Sequence, residues 1–307
     1  MKIALLHNPK AGNGTFKVSE LVRQIESAGH QVIYVSIKEK DWPRTFGEPL
    51  DRVIVAGGDG SVSRAAPWLA ARRVPFCILA LGTANNCARS LGQMHNVEVL
   101  LANFISAPTK KVDLGLITSP AGNRAFIESA GIGLLPRFMA EMRVLQKKNG
   151  SKFRSLARDR LADAKKFLWS MAKETPAFDA EILVDGENIC EELMLFEIAN
   201  IGWIGPSLEL ATAADPTDGF FNVAWIKNEH RKEWLNYLKH LRSDGKVSAP
   251  VEQRRCRQIT FRNSAVPLHV DGKVFRETET PCCITIYPGA LELIDFNIRA
   301  SWSNRND

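Results

Sequence analysis

The sequence has no run approaching the roughly 18 uninterrupted apolar residues of a membrane-spanning helix, and its N-terminus enters a strand-like "KIALL" without a cleavable signal pattern. A soluble, cytoplasmic protein is therefore expected. Six cysteines show no CxxC spacing, and six histidines form no HExxH pair or other metal-ligand cluster. That excludes the usual zinc frameworks and leaves reduced, packing cysteines as the default. GxxxxGK[ST] is missing, as are GxSxG and a GxGxxG after the first strand. These gaps exclude a Walker loop, a nucleophile elbow and a dinucleotide fingerprint. There is no internal repeat and no low-complexity tract.

What is present is a 307-residue chain, 45% hydrophobic, with a net charge of +6. That length exceeds the usual size of one compact core, so two domains are expected. The positive balance favours an anionic partner: nucleotide, acidic lipid or nucleic acid. Residues 1–118 alternate strand-like and helix-like segments in the manner of a parallel α/β sheet. "KIALLHN", "QVIYVSI", "DRVIVAG" and "PFCILALG" read as strands, and their C-terminal ends open onto "NPKAGNG", "GGDGS" and "GTANN". Ligands of open α/β sheets bind at those ends.

From 119 to 290 the texture changes to "FDAEILV", "LMLFEIA", "FNVAWI", "LHV" and "CCITIY", which predict a β-rich antiparallel, sandwich-like second domain. A tail from about 291 to 307 is expected to return to the first domain. Asp-Gly pairs at 185/186, 218/219 and 271/272 read as tight hairpin turns. A helical insertion over 137–173, broken at Asn149-Gly150 with Ser151 as the new N-cap, carries eleven Lys or Arg against three Asp or Glu. Phe153, Leu156, Ala157, Leu161, Ala164, Leu168 and Met171 give it one apolar face. A domain-packing helix with a solvated basic face is the commoner explanation, and a membrane-surface helix the alternative.

The glycines of "VIVAGGDGSVSRA" are suited to presenting backbone N–H groups to an anion at a helix N-terminus. Asp59 would repel a bare phosphate unless it acts through Mg²⁺ or bonds a ribose or an amide-bearing loop. The loop therefore suggests nucleotide handling. Asn8 and Gly12 after the first strand, and Thr83 and Asn85 after the fourth, would meet it at the same sheet edge and can bond phosphate or sugar oxygens.

Together these motifs resemble the diacylglycerol kinase catalytic-domain family, including its small bacterial lipid kinases and the similar sphingosine and ceramide kinases. "NPKAG" resembles the family's opening loop, "GGDGS" its GGDGT, and "LGTANNCARSLG" its LGTGNDFARSLG. "FIESAGIG" matches a strand-turn segment, "AADPTDGFFNV" the AxxxDGxLDV pattern, and "HVDGKVF" the IDGE region. The resemblance implies an NAD kinase- and phosphofructokinase-like α/β domain, a β-rich lipid-substrate domain, and ATP and Mg²⁺ as cofactors. It implies that Asn8, Gly12, Gly57, Gly58, Asp59, Gly60, Ser61, Thr83 and Asn85 bind nucleotide, while Asp215, Asp218 and the Phe220 backbone hold a structural metal. The implied partners are a lipid substrate and an anionic membrane surface, reached peripherally at the inner face, with no nucleic acid; a homo-oligomer is left open.

The chain departs from the family pattern at Ser63, Arg64, Asn86 and, above all, Lys273, which occupies the position of the family's glutamate base. A protonated lysine accepts no proton. Three outcomes follow: Asp271 serves as base, Lys273 neutralises the γ-phosphate, or the protein binds ligands with little turnover. Glu277, about 13 Å along a continued strand, is a poor substitute. The leading expectation is a lipid kinase; the alternatives are a catalytically impaired nucleotide- or lipid-binding homologue and a soluble-substrate kinase of the NAD-kinase type.

Overall fold

The computed structural model describes residues 1–12, 16–149, 157–189, 191–241, 248–263, 266–275 and 281–296. Four strands, β1 (Lys2–His7), β2 (Gln31–Ser36), β3 (Arg52–Gly57) and β4 (Phe76–Ala80), lie parallel in the order β2-β1-β3-β4. β1, β3 and β4 are buried on both faces, which is why they read as unbroken apolar runs. α1 (Val18–Ser27) packs Leu21 and Ile25 against Ile3, Leu5 and Ile54. α2 (Asp59–Arg72) sets Val62, Ala65 and Leu69 on the opposite face, against Leu6, Val53 and Val55. The chain passes from β1 to β2 on one side and then to β3 on the other. The loops after β1 and β3 therefore part at a topological switch point, where open α/β sheets take their ligands.

The chain continues through α3 (Asn86–Ser90), α4 (Val97–Asn103), β5 (Thr109–Ser119), β6 (Gly122–Phe126), β7 (Ser129–Gly133), α5 (Leu134–Asn149), α6 (Ala157–Glu174), β8 (Glu181–Val184) and β9 (Glu187–Ile189). It ends with β10 (Leu193–Ala199), β11 (Trp203–Ile204), β12 (Leu208–Glu209), β13 (Phe221–Lys227), α7 (Arg231–His240), β14 (Glu252–Cys256), β15 (Gln258–Asn263), β16 (Leu268–Val270), β17 (Lys273–Phe275) and β18 (Cys282–Ile294). β5 and β18 form a long antiparallel ribbon, and Leu293 of β18 also pairs in parallel with Phe76 of β4. One ribbon thus runs from the parallel sheet into the β-rich half.

There a six-stranded antiparallel sheet, β14-β13-β10-β7-β16-β17, faces β8, β15 and the first half of β18. Phe126, Ile132, Phe196, Phe221, Phe261 and Ile284 fill the space between them. The outer face of the six-stranded sheet is covered by α5, α6 and α7, where Phe138, Leu168, Ala172 and Trp234 meet Met194 and Leu195. The apolar face of α6 is therefore spent on packing, and Arg143, Lys148, Lys166 and Lys173 remain exposed on α5 and α6. α5 ends at Asn149, while Gly150, Ser151, Phe153 and Leu156 lie outside the described residues, as do Cys190, Glu277 and residues 297–307.

Two of the three Asp-Gly pairs are two-residue hairpin turns. Asp185 and Gly186 have φ of 48° and 89°, and Asp271 and Gly272 have φ of 45° and 71° between the paired residues Val184/Glu187 and Val270/Lys273. Asp218-Gly219 is not one: only Gly219 has a positive φ, 74°, and the pair ends a loop that leads into β13.

Candidate functional site

Three loops converge at the C-terminal edge of the parallel sheet. After β1, Asn8 donates its backbone N–H to Ala56 (2.9 Å) and accepts from the Lys10 N–H through Oδ1 (3.1 Å). Gly12, at φ 69°, donates to the Leu81 carbonyl (2.8 Å). After β3, the glycines divide by role. A Cβ on Gly57 would fall 2.3 Å from Ser61 Oγ, and one on Gly58 would fall 2.8 Å from the Cα of Gly82. Those glycines let chain segments close on one another. Gly60 is exposed, and no atom would come within 4 Å of a Cβ placed there.

Ser61 is buried with its hydroxyl against Gly57, and its N–H already bonds the Gly58 carbonyl at 2.8 Å. The open amides of the first turn of α2 are consequently those of Gly58, Asp59 and Gly60, a geometry able to receive an anion, while the Ser61 hydroxyl lies against Gly57. In the third loop Thr83 is exposed. Asn85 does not offer its carboxamide outward as expected. It accepts from the Gly82 N–H (2.8 Å) and donates to the Gly82 carbonyl (3.2 Å), which shapes its own loop.

Asp59 joins the second loop to the third, because its Oδ1 accepts the Cys87 N–H at 2.9 Å. This is the amide-bearing loop among the partners the sequence allowed it. The Cys87 thiol also bonds Asp59; burial above all, then the neighbouring carboxylates, holds that thiol protonated. Asn86, buried beside it, donates to Glu128 Oε1 (2.8 Å) and to the Gly205 carbonyl (2.9 Å). The Gly205 N–H donates to the same Glu128 oxygen at 3.1 Å. Burial first, then Asp59 and Asp271, push the Glu128 carboxyl well above the usual carboxylate range.

Glu128 lies in this cluster although none of the sequence motifs marked it. The available signal was a lone carboxylate inside the otherwise apolar "FIESAGIG".

The expectation that Asp271 acts as a base is corrected by its contacts. Its carboxylate accepts from the N–H groups of Ile127 (3.0 Å), Glu128 (2.8 Å) and Ser129 (3.2 Å), and the Ser63 hydroxyl of α2 bonds it as well. Burial raises its pKa, and those donors pull it back. Such a carboxylate caps a strand entrance and ties α2 to the second domain. Lys273 is exposed on the edge strand β17, with its ammonium 5.2 Å from the centre of the Phe275 ring. Among the described residues it forms no ion pair, and its placement over Phe275 supports neither role the sequence offered it. Arg64 turns to the Glu39 carbonyl (2.8 Å).

The proposed structural metal loop is also corrected. Asp215 Oδ1 accepts from the Thr217 N–H (2.9 Å) and hydroxyl (2.7 Å), and Asp218 Oδ1 accepts from the Phe220 N–H (2.9 Å). Asp218 Oδ2 is taken by the Arg255 guanidinium at 2.6 and 3.1 Å. The Phe220 ring lies 3.9 Å from the Arg255 guanidinium and 4.3 Å from that of Arg257. With a built-in cation already on Asp218, this donor set does not fit Mg²⁺.

The other acidic cluster does fit it. Asp59, Glu128 and Cys87 bring a carboxylate oxygen each and a sulfur within 4.8 Å of one another. Among the described residues no Lys, Arg or His pairs with Asp59, Glu128 or Asp271. A hard cation would take the two carboxylates and leave the protonated thiol. Next to this cluster is a cavity of about 330 Å³ lined by Phe138, Met139, Met142, Leu161 and Pro206, with Thr83, Gly205 and Gly272 also at its wall. It touches the third loop at Thr83 and Ala84, the Glu128 donor Gly205 and the turn that carries Asp271.

Residues 2–117 match the family described as diacylglycerol kinase catalytic domain, and residues 153–295 match the YegS C-terminal NAD kinase beta sandwich-like domain. The chain is 25% identical over 242 residues to a diacylglycerol kinase of Bacillus subtilis, covering 75% of each chain. It is 24% identical over 314 residues to one of Mycobacterium tuberculosis, covering 95% of this chain and 94% of that one. A crystal structure of a diacylglycerol kinase from Bacillus anthracis superimposes with a TM-score of 0.65 at 19% identity, covering 95% of this chain and 96% of that one. No helix among the described residues is long and apolar enough to cross a membrane.

Proposed function

We propose that this chain, which belongs to the diacylglycerol kinase catalytic-domain family, uses ATP and Mg²⁺ to phosphorylate the hydroxyl of a lipid such as diacylglycerol. One observation carries the proposal: Glu128 sits beside Asp59 of the open α2 turn and accepts from Gly205, which lines the cavity beside Phe138 and Met142, so turn, carboxylates and cavity are linked one to the next. The amides of the α2 turn hold the nucleotide's phosphates, and the Asn8 and Thr83 loops flank them. Asp59 and Glu128 are the groups that would hold Mg²⁺, which when bound neutralises charge on the β- and γ-phosphates. The cavity receives the lipid, with its hydroxyl directed toward the phosphate turn.

The hydroxyl oxygen forms the new bond to the γ-phosphorus as the bond to the β-phosphate oxygen breaks and ADP leaves. The transition state is loose, so the hydroxyl proton departs late, onto a γ-phosphoryl oxygen and then to solvent, and no strong base need stand beside it. That is how an exposed Lys273 is compatible with turnover. Docking on anionic membrane through Arg143, Lys148, Lys166 and Lys173 would contribute up to about 1 kcal/mol for each suitably placed side chain.

The test is incubation of the purified protein with labelled ATP, Mg²⁺ and a panel of lipids in mixed micelles. Phosphorylated lipid is expected for at least one diacyl substrate and absent for Asp59→Ala. Equal label in the wild type and the Asp59→Ala control would sink the kinase assignment.

A further inference from the structure

We propose that Glu128 is a direct ligand of the divalent cation at the phosphate-transfer site and supplies, from the second domain, the carboxylate that the family pattern carries at position 86. The inference rests on the ATP- and Mg²⁺-dependent activity proposed above. In the family's GND triplet the last residue is an aspartate; here it is Asn86. The lost charge reappears one hydrogen bond away, since the Asn86 carboxamide donates to Glu128 Oε1 at 2.8 Å. Acid and amide thus face each other across the junction of the two domains, with the acid now on the β-rich side.

Two features distinguish Glu128 from an ordinary buried acid. Its Oε1 is held by two donors, Asn86 Nδ2 and the Gly205 N–H at 3.1 Å, while no described residue bonds Oε2. The residue is 9% exposed, and one of its carboxylate oxygens lies within 4.8 Å of one from Asp59. Metal-bound carboxylates are commonly fixed this way, with outer hydrogen bonds on one oxygen and the metal on the other. The surrounding charges agree. Asp59 and Asp271 are the carboxylates that act on Glu128, and among the described residues no basic side chain offsets them. Cys87, the third member of the cluster, offers a soft sulfur that a hard cation disfavours, which leaves the two carboxylates as oxygen donors suited to Mg²⁺ or Mn²⁺. Asn86 is then a positioning residue acting through Glu128.

The test measures Mn²⁺ binding by electron paramagnetic resonance, with Mn²⁺ alone and with a non-hydrolysable ATP analogue. It compares the wild type, Glu128→Gln and the exchanged pair Asn86→Asp/Glu128→Gln. Glu128→Gln keeps the Oε1 acceptor and is expected to weaken Mn²⁺ by at least about tenfold, while affinity for the metal-free analogue changes less than twofold. The exchanged pair restores a carboxylate facing a carboxamide and should regain most of the lost Mn²⁺ affinity. A purely structural Glu128 would not show that recovery.

In wild-type crystals soaked in Mn²⁺, the anomalous peak is expected within coordinating distance of both Asp59 and Glu128. Unchanged Mn²⁺ binding in Glu128→Gln, no recovery in the exchanged pair, or a peak away from Glu128 would each overturn the assignment. The crystal result stands however the variants fold. Absence of lipid phosphorylation with Mn²⁺ still lost in Glu128→Gln would overturn the kinase reading and leave the ligand assignment standing.

Discussion

Replacing glycines one at a time by alanine separates those that build the site from those that serve its ligand. Gly58→Ala would set a methyl 2.8 Å from the Cα of Gly82, where the obstacle is backbone and cannot rotate away. Overpacking of this kind costs typically about 1–3 kcal/mol. Gly82→Ala meets the Gly58 Cα at 2.5 Å and should behave alike. Gly60→Ala meets nothing within 4 Å and lies in the first turn of α2. Alanine there should leave stability unchanged or raise it by up to about 0.5–1 kcal/mol through its helix preference. The same methyl would occupy the space through which a phosphate approaches the turn, so ATP affinity should fall by at least about tenfold, or about 1.4 kcal/mol. Urea unfolding read by circular dichroism gives the stability arm, and equilibrium binding of labelled ATP gives the other. A Gly60→Ala protein that folds and binds ATP like the wild type would refute the placement of phosphate on this turn. A fully stable Gly58→Ala would refute the loop closure.

Two further predictions concern charges that the family pattern handles differently. In an Asp59→Ala background, which removes the other acidic site, EDTA and added Mg²⁺ should leave the melting temperature unchanged because Arg255 already occupies Asp218; Arg255→Met should lower stability by about 1 kcal/mol and make the loop responsive to Mg²⁺. A metal-dependent melting temperature with Arg255 intact would contradict that account. Lys273→Glu should change kcat for lipid phosphorylation by less than about tenfold, since Lys273 lies over Phe275 and forms no ion pair among the described residues; a rise of the 10²- to 10⁴-fold that a general base can supply would instead show that a base is missing from the native site.

The parallel sheet was legible in the sequence for a physical reason: strands covered on both faces must be continuously apolar, and β1, β3 and β4 are. Asp185-Gly186 was equally readable, because a two-residue turn with two positive φ angles leaves few residue choices. Relations through space were not. Nothing local in "GGDGS" says that Gly58 is needed by Gly82, 24 positions away, while Gly60 is needed by no protein atom. Arg255 reaches Asp218 only because β14 pairs with β13 in a register that sets Arg255 opposite Asn222. That pairing turned an expected metal loop into an ion pair. Gly131 reads as a strand glycine, yet its reason is the Glu197 carboxylate, which would lie 2.0 Å from a Cβ there.

The same relations explain why a lysine at position 273 is tolerated. The polar bonds of the site cross between the two domains: Asn86 to Glu128 and Gly205, and Ser63 to Asp271. The β5/β18 ribbon spans the same divide, and its register breaks between Tyr287 and Leu291. Asp113 pins that break by accepting the Gly289 and Gly219 N–H groups, each at 2.7 Å. The Asn86 bond to Glu128 therefore exists only while the two halves hold this arrangement. Lys273 belongs to none of these contacts. It follows Gly272 onto an edge strand and meets an aromatic face, so reversing the charge at that position disturbs neither the domain junction nor the Asp59/Glu128 pair. On the proposed assignment, the carboxylate that the family pattern carries at position 86 has moved onto Glu128 at the seam, where a bound nucleotide and both domains can act on it together.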